Sequence, residues 1–171
     1  MMALSEGNPL VTSLAGGEPE GYAALYDRLG GALYRTARAM LKDSADAQDA
    51  VQDVFIELVR NRHRLSLVRD LDAYVFAMLR HGIGRRLTHR KKDDQRLRQL
   101  AMMPQTTPDV EIHDDVEQAM ATLPAEQREV IAMKISGGLT FAQIAQILDI
   151  SPNTAASRYR YALEKLKRIL E

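Results

Sequence analysis

A chain of 171 residues that is 46% hydrophobic can hold one large or two small globular domains, and the lack of cysteine excludes disulfides and thiolate metal sites. The longest uninterrupted apolar run, Ala73 to Leu79, is far short of the ~20 residues a membrane helix needs, and no basic start followed by an apolar run opens the sequence, which predicts a cytoplasmic protein without membrane insertion. The formal net charge is zero, yet residues 1–21 carry three acids and no base, 101–115 carry four acids and no base, and 60–98 hold twelve Lys or Arg against four acids.

Every predicted element is a helix, so the fold class is all-α. Residues 1–20 read as an N-terminal extension. A helix follows over 19–41, with a weak point at Gly30-Gly31, where two glycines cost ~2 kcal/mol of helix propensity relative to alanine. Asp43 or Ser44 caps a second helix reaching about Asn61. Its buried stripe is Ala47, Ala50, Val51, Val54, Phe55, Leu58 and Val59. The opposite face carries Asp49, Gln52, Asp53 and Arg60 with Ile56 set among them. It reads either as a solvated face with one stray isoleucine or as a docking face for a basic partner. Asp70 caps a third helix that reaches about Lys92 and is strained by Gly82 and Gly84.

From about residue 93, Pro104, Thr106, Thr107, Pro108 and a run of acids interrupt any apolar periodicity, which predicts a linker, set at 96–115, and mobile domains on either side. The domains are then 21–95 and 116–171. Helices are expected at 112–122 and at 124–136, the latter opened by Pro124 and closed by Gly137-Gly138.

Thr140 to Arg160 is the most specific stretch. Thr140 and Gln143 form a capping box for a helix whose apolar face is Phe141, Ile144, Ala145 and Leu148. Asp149 and Ile150 supply a break, Ser151 caps a second helix, and Pro152 suits its first position. Together they make a helix-turn-helix. On the second helix, Ala155, Tyr159, Ala162 or Leu163, Leu166 and Ile169 or Leu170 form the buried stripe. Asn153, Thr154, Ala156, Ser157 and Arg160 are left facing outward, short polar groups and a cation suited to base edges and phosphates. The last 56 residues carry seven bases and six acids, so this domain alone should bind DNA weakly. The basic excess lies in the middle helix.

No motif calls for a cofactor, a small-molecule substrate or an active site: a serine-histidine-acid pattern, a glycine-rich phosphate loop and paired catalytic carboxylates are all missing. His113 beside Asp114 and Asp115, and His81 with His89, lack a convincing metal ligand set.

DAQDAVQDVFIELVR (46–60), DLDAYVFAMLRHGIGRRL (70–87) and LPAEQREVIAMKISGGLTFAQIAQILDISPNTAASRYRYALEKLKRIL (123–170), in that order, resemble regions two and four of the short, extracytoplasmic-function (ECF) sigma factors of bacterial RNA polymerase. The resemblance implies a transcription initiation factor that binds core RNA polymerase and promoter DNA, assists melting, and is not an enzyme. An anti-sigma factor is a further partner it raises. It implies that Asp49, Gln52, Asp53 and Ile56 dock on polymerase. It sets Arg62, His63 and Arg64, in the loop Asn61 to Arg69, with Tyr74, Arg80, His81, Arg85 and Arg86 on the minus-ten element. Ser151, Pro152, Asn153, Thr154, Ser157, Arg158 and Arg160 fall on the minus-thirty-five element. Tryptophan is absent, with Val59 and Tyr74 where such sequences often have one; His81 replaces a frequent asparagine, and Ala156 a common basic residue. The competing readings are a helix-turn-helix regulator or adaptor that does not support initiation, and a helical nucleic-acid enzyme.

Overall fold

The computed structural model of the chain describes residues 7–100 and 114–171, and every regular element among them is a helix. α1 (Pro9–Ala15) lies in the N-terminal extension, where no helix was expected. Its signal is short but complete: the Asn8 side chain accepts from the Leu10 amide at 3.1 Å, Pro9 opens the first turn, and Leu10, Val11 and Leu14 share a face that packs on the core. Gly17, at φ 74°, then reverses the chain into α2 (Pro19–Met40).

α2 passes through Gly30-Gly31 without a break. A Cβ on Gly30 would lie 3.3 Å from the Tyr26 ring, so the glycine makes room for that ring, which meets Phe55 edge-on at 5.4 Å between centroids. α3 (Ser44–Arg60) is capped by Asp43 and not by Ser44: the Asp43 carboxylate accepts from the amide of Ala45 at 2.7 Å. The expected stripe is buried at Ala47, Ala50, Val51, Val54 and Leu58, whereas Val59 sits at its margin, 43% exposed.

A short 3-10 helix (Arg62–Leu67), tied down by the fully buried Leu65, leads to α4 (Leu71–Leu100), whose first turn is capped by Asp70 accepting from the Ala73 amide at 3.0 Å. α4 is longer than the apolar periodicity predicted and takes in the first residues of the expected linker, 96–100. Beyond Ile83 it has almost nothing to bury, but it is rich in Arg, Lys, Gln and Leu, whose intrinsic propensity favours helix without a buried face. Residues 101–113, with the linker prolines and His113, lie outside the described residues.

The second block is α5 (Asp115–Ala121), α6 (Ala125–Ile135), α7 (Phe141–Leu148) and α8 (Pro152–Leu170). The α8 stripe is Ala155, Ala162 and Leu166; Leu163, Ile169 and Leu170 are exposed. Ala119, Leu123, Ile131, Ala162 and Leu166 form a small core of this block alone.

The two blocks on either side of the expected linker lie against each other. α6 packs on α2 and α7 on α4, and a single apolar cluster runs from Leu14, Leu33 and Phe76 into Val130, Met133, Leu139, Ile144 and Ala155. A Cβ on Gly137 would lie 3.0 Å from the Phe76 ring, Gln143 donates to the Asp70 carboxylate at 3.0 Å, and Arg38 meets Glu117 at 3.0 Å. The physical cause is apolar surface on α2, α4, α6 and α7 that neither block covers by itself, which a property read from the linker could not reveal.

Candidate polymerase and nucleic-acid interfaces

On α3, Asp49, Gln52, Asp53 and Ile56 are all exposed on one face, with Ile56 at 48%. Tyr26, on α2 and 58% exposed, adds an aromatic to it: Tyr26, Gln52, Phe55 and Ile56 line one shallow apolar cleft. Periodicity along a single helix could not find Tyr26; Gly30 one turn later, leaving space for its ring, was the available clue. The two acids differ. Asp53 is paired with Arg86 of α4, while Asp49 has no ion pair among the described residues.

The Asp53–Arg86 pair belongs to a ladder across α3 and α4, with Arg90 on Asp46 and Arg85 on Glu57 at 3.5 Å. These are surface pairs, worth ~1 kcal/mol or less each, so phosphates can compete for the arginines. Arg80 faces Glu129 of the second block at 3.6 Å, and its buried Nε has no hydrogen-bond partner. Tyr74 is half-buried against the core, His81 is exposed, and the projecting half of α4 from Gly84 onward is almost wholly solvated. Between Gly84 and Leu100 it carries seven bases and two acids.

The 3-10 helix presents His63 and Arg64 to solvent together with Leu67, an apolar side chain 82% exposed. Arg62 behaves differently from its neighbours. Its guanidinium donates to the Val59 carbonyl at 3.4 Å, and its Nε lies 3.3 Å from where a Gly17 Cβ would be, so it turns back onto the N-terminal turn.

The helix-turn-helix is built by local chemistry. Thr140 and Gln143 exchange side-chain-to-amide bonds at 2.8 and 3.1 Å, completing the capping box. Asp149 takes the left-handed conformation at φ 54°, which Asp tolerates better than most residues, and turns the chain. Ser151 then accepts from the Thr154 amide at 3.0 Å, and the two hydroxyls share a hydrogen bond at 2.8 Å. Phe141 meets Tyr159 edge-on at 5.5 Å, locking α7 to α8, while Lys134 sits 4.6 Å over the Phe141 ring. The expected reading residues therefore divide. Ser151, Pro152 and Thr154 make the cap, Arg158 is held by Glu126 at 3.0 Å, and Asn153, Ser157 and Arg160 are left on or near the outer surface with hydroxyl, amide and guanidinium groups available.

Sigma-70 region 2 matches residues 25–93, and sigma-70 region 4 matches residues 113–166. The ECF RNA polymerase sigma factor SigL of Mycobacterium tuberculosis strain H37Rv is 30% identical over 169 residues, covering 94% of this chain and 95% of its own; SigK of Mycobacterium ulcerans, another ECF sigma factor, is 24% identical over 96% and 93%. Among solved structures, the fold is similar to that of the sigma factor RpoE from Bartonella quintana in complex with the anti-sigma factor NepR, with a TM-score of 0.74, 21% identity and coverage of 88% of this chain and 97% of that one. It is also similar to CnrH in complex with the cytosolic domain of CnrY, with a TM-score of 0.68, 23% identity and coverage of 95% of each chain. No helix among the described residues is long and apolar enough to cross a membrane. The chain belongs to the sigma-70 family of RNA polymerase sigma factors, in its ECF group, and is a promoter-specific transcription initiation factor acting with core RNA polymerase on promoter DNA.

Proposed function

We propose that the three surfaces divide initiation between them. The face of Asp49, Gln52, Asp53 and Ile56, widened by Tyr26, holds core polymerase. The 3-10 helix with α4 takes the minus-ten element and the opened strand, through His63, Arg64, Tyr74, Arg80, His81, Arg85 and Arg86. The start of α8 reads the minus-thirty-five element, with Asn153 and Ser157 on base edges and Arg160 on phosphate. Ser151, Pro152 and Thr154 shape that helix start, and Arg158 joins them once it leaves Glu126. The protein works in the cytoplasm as a binding factor and not as an enzyme. An anti-sigma factor is a further proposed partner, supported by the similar fold of RpoE having been captured with the anti-sigma factor NepR.

The observation that carries the division is the separation of charge from shape. The well-formed helix-turn-helix lies in a segment with seven bases and six acids, whereas the basic excess lies on the projecting half of α4. Each phosphate contact contributes roughly 0.9 units of slope in log affinity against log salt, so the lone protein binds duplex promoter weakly and with little specificity. Adding core polymerase produces specific, melted complexes. Permanganate footprinting on promoter DNA reads unpaired thymines directly and should show them only when both proteins are present. Tight sequence-specific duplex binding by the lone protein, unchanged by polymerase, would support the conventional-regulator reading instead. In a promoter-library selection, Asn153→Ala and Ser157→Ala shift the preferred upstream bases, whereas Arg160→Ala weakens binding across sequences and flattens the salt dependence by ~0.9.

A further inference from the structure

The N-terminal extension is the part of the chain to which no role has been attached, and it is built against the 3-10 helix. α1 packs directly on Arg62–Leu67, and Leu14, with no exposed surface, enters the same apolar cluster as the fully buried Leu65. α1 is itself fixed by three contacts with the start of α2. The Tyr22 hydroxyl donates to the Leu14 carbonyl at 2.9 Å, Ser13 donates to the Glu18 carboxylate at 2.6 Å, and α1 crosses α2 so closely that a Cβ on Gly21 would lie 2.5 Å from the Ser13 hydroxyl. The fourth tie is Arg62, whose side chain lies over Gly17 and whose charge is felt by the Tyr22 phenol, a group that burial pushes above its ordinary pKa against that cation. Seven residues of helix are far below the length at which a helix holds in water by itself. The order of α1 therefore comes from what it packs on, and the order is returned to the 3-10 helix, which has few contacts of its own beyond Leu65.

We infer that α1, through Leu14 and the Tyr22 and Arg62 ties, is a positioning brace for the 3-10 helix and sets how sharply His63, Arg64 and Leu67 discriminate minus-ten bases. This rests on the proposed assignment of the 3-10 helix to the minus-ten element. Arg62 accordingly acts chiefly as a strut and not as a base-reading group. The logic is that of any recognition loop: a base is distinguished only if the groups that meet it are held still, and a loop free to readjust accepts a wrong base at little extra cost.

The test uses full-length chain with core polymerase, transcribing two sets of promoters in vitro: one varied through the minus-ten element with a fixed upstream element, the other varied upstream with a fixed minus-ten element. Leu14→Ala removes the plug, and Tyr22→Phe removes only the hydrogen bond to the Leu14 carbonyl while keeping the ring. The expected result is that Leu14→Ala narrows the ratio of output between best and worst minus-ten sequences by ~10-fold and Tyr22→Phe by ~3-fold, a loss of discrimination of the size one or two misplaced contacts produce. Upstream preferences and polymerase co-purification remain those of the wild type. A uniform loss of transcription with the minus-ten ratio intact overturns the inference, because a merely structural helix lowers all promoters alike. If Leu14→Ala fails to fold, Tyr22→Phe decides: a wild-type ratio overturns the inference and a narrowed one supports it. His63→Ala and Arg64→Ala keep the two levels apart. Should they leave minus-ten preference untouched, the assignment of the 3-10 helix fails; should they alter it while the α1 variants do not, only the brace fails.

Discussion

The helix-turn-helix and the 3-10 helix with α4 both present groups proposed to meet DNA, but they are held in different ways. In the helix-turn-helix the caps and the turn are set by residues a few positions apart, Thr140 with Gln143, Asp149 in its left-handed turn and Ser151 with Thr154, while the Phe141–Tyr159 contact and the Gln143–Asp70 bond reach further. Around the 3-10 helix and α4 the restraints come from far along the chain: α1 packs on the 3-10 helix, the Asp53–Arg86 and Asp46–Arg90 pairs tie α4 to α3, and Glu129 of the other block meets Arg80. A duplex-reading helix can be a preformed module, since its target already has a fixed shape. A surface that takes an opened strand is assembled from several elements, and its shape depends on all of them.

The largest effect that can break this contrast is at Phe76, 1% exposed and packed at the seam beside Gly137. Phe76→Ala should cost ~3–5 kcal/mol, read as a drop in the thermal midpoint. Amide exchange should rise along α4, while the capping-box amide of Gln143, which donates locally to Thr140, stays protected for as long as the chain is folded. Equal acceleration inside the α7–α8 turn would mean that the hairpin is not locally self-sufficient.

Next in size is the proposed polymerase face. Reversing Asp49 and Asp53 together to Arg should weaken capture of core polymerase by ~100-fold, about 2.8 kcal/mol, with helical content unchanged. Because Asp53 is already engaged by Arg86, Asp49→Arg alone should account for most of that loss; co-purification of the double variant at wild-type level would remove this face from docking.

Thr140→Ala tests the local side of the contrast. Losing the cap should cost ~1 kcal/mol, and unfolding monitored by circular dichroism should show it, while minus-ten preference stays as in the wild type. The smallest effect is a gain. A Cβ at Gly84 meets nothing within 4 Å, so Gly84→Ala should stabilise α4 by up to ~1 kcal/mol, seen as a small rise in thermal midpoint.

The same contrast explains what could be read from the sequence. The capping box, Pro152 at a helix start, the Ala155–Ala162–Leu166 stripe and the exposed acidic face of α3 are written in short spacings, and the structure holds each of them. α1 was missed because its seven residues make only about two turns and show too little periodicity to stand out, although Asn8-Pro9 and Gly16-Gly17 mark both ends. Tyr26 was missed because its neighbours on the proposed docking face belong to another helix. Gly30 looked like a weakness because the ring it accommodates sits one turn away and across a helix pair. Arg62 looked like Arg64 because composition does not record which way a side chain turns.

The continuous core between the blocks has a consequence for reach. Positions centred on minus-ten and minus-thirty-five are about 25 base pairs apart, ~85 Å of duplex at ~3.4 Å per step. A compact chain of this length has a radius of gyration of about 16 Å, and even α4, with its 30 residues, extends only ~45 Å at ~1.5 Å per residue. With Phe76 against Gly137 and Gln143 on Asp70, the protein is too short to touch both elements at once. Under the proposed assignments, core polymerase is therefore the ruler as well as the engine. Under those assignments part of its binding free energy would go into parting α6 and α7 from α2 and α4, which pack together here, so that the two proposed reading surfaces stand at the separation that a promoter demands.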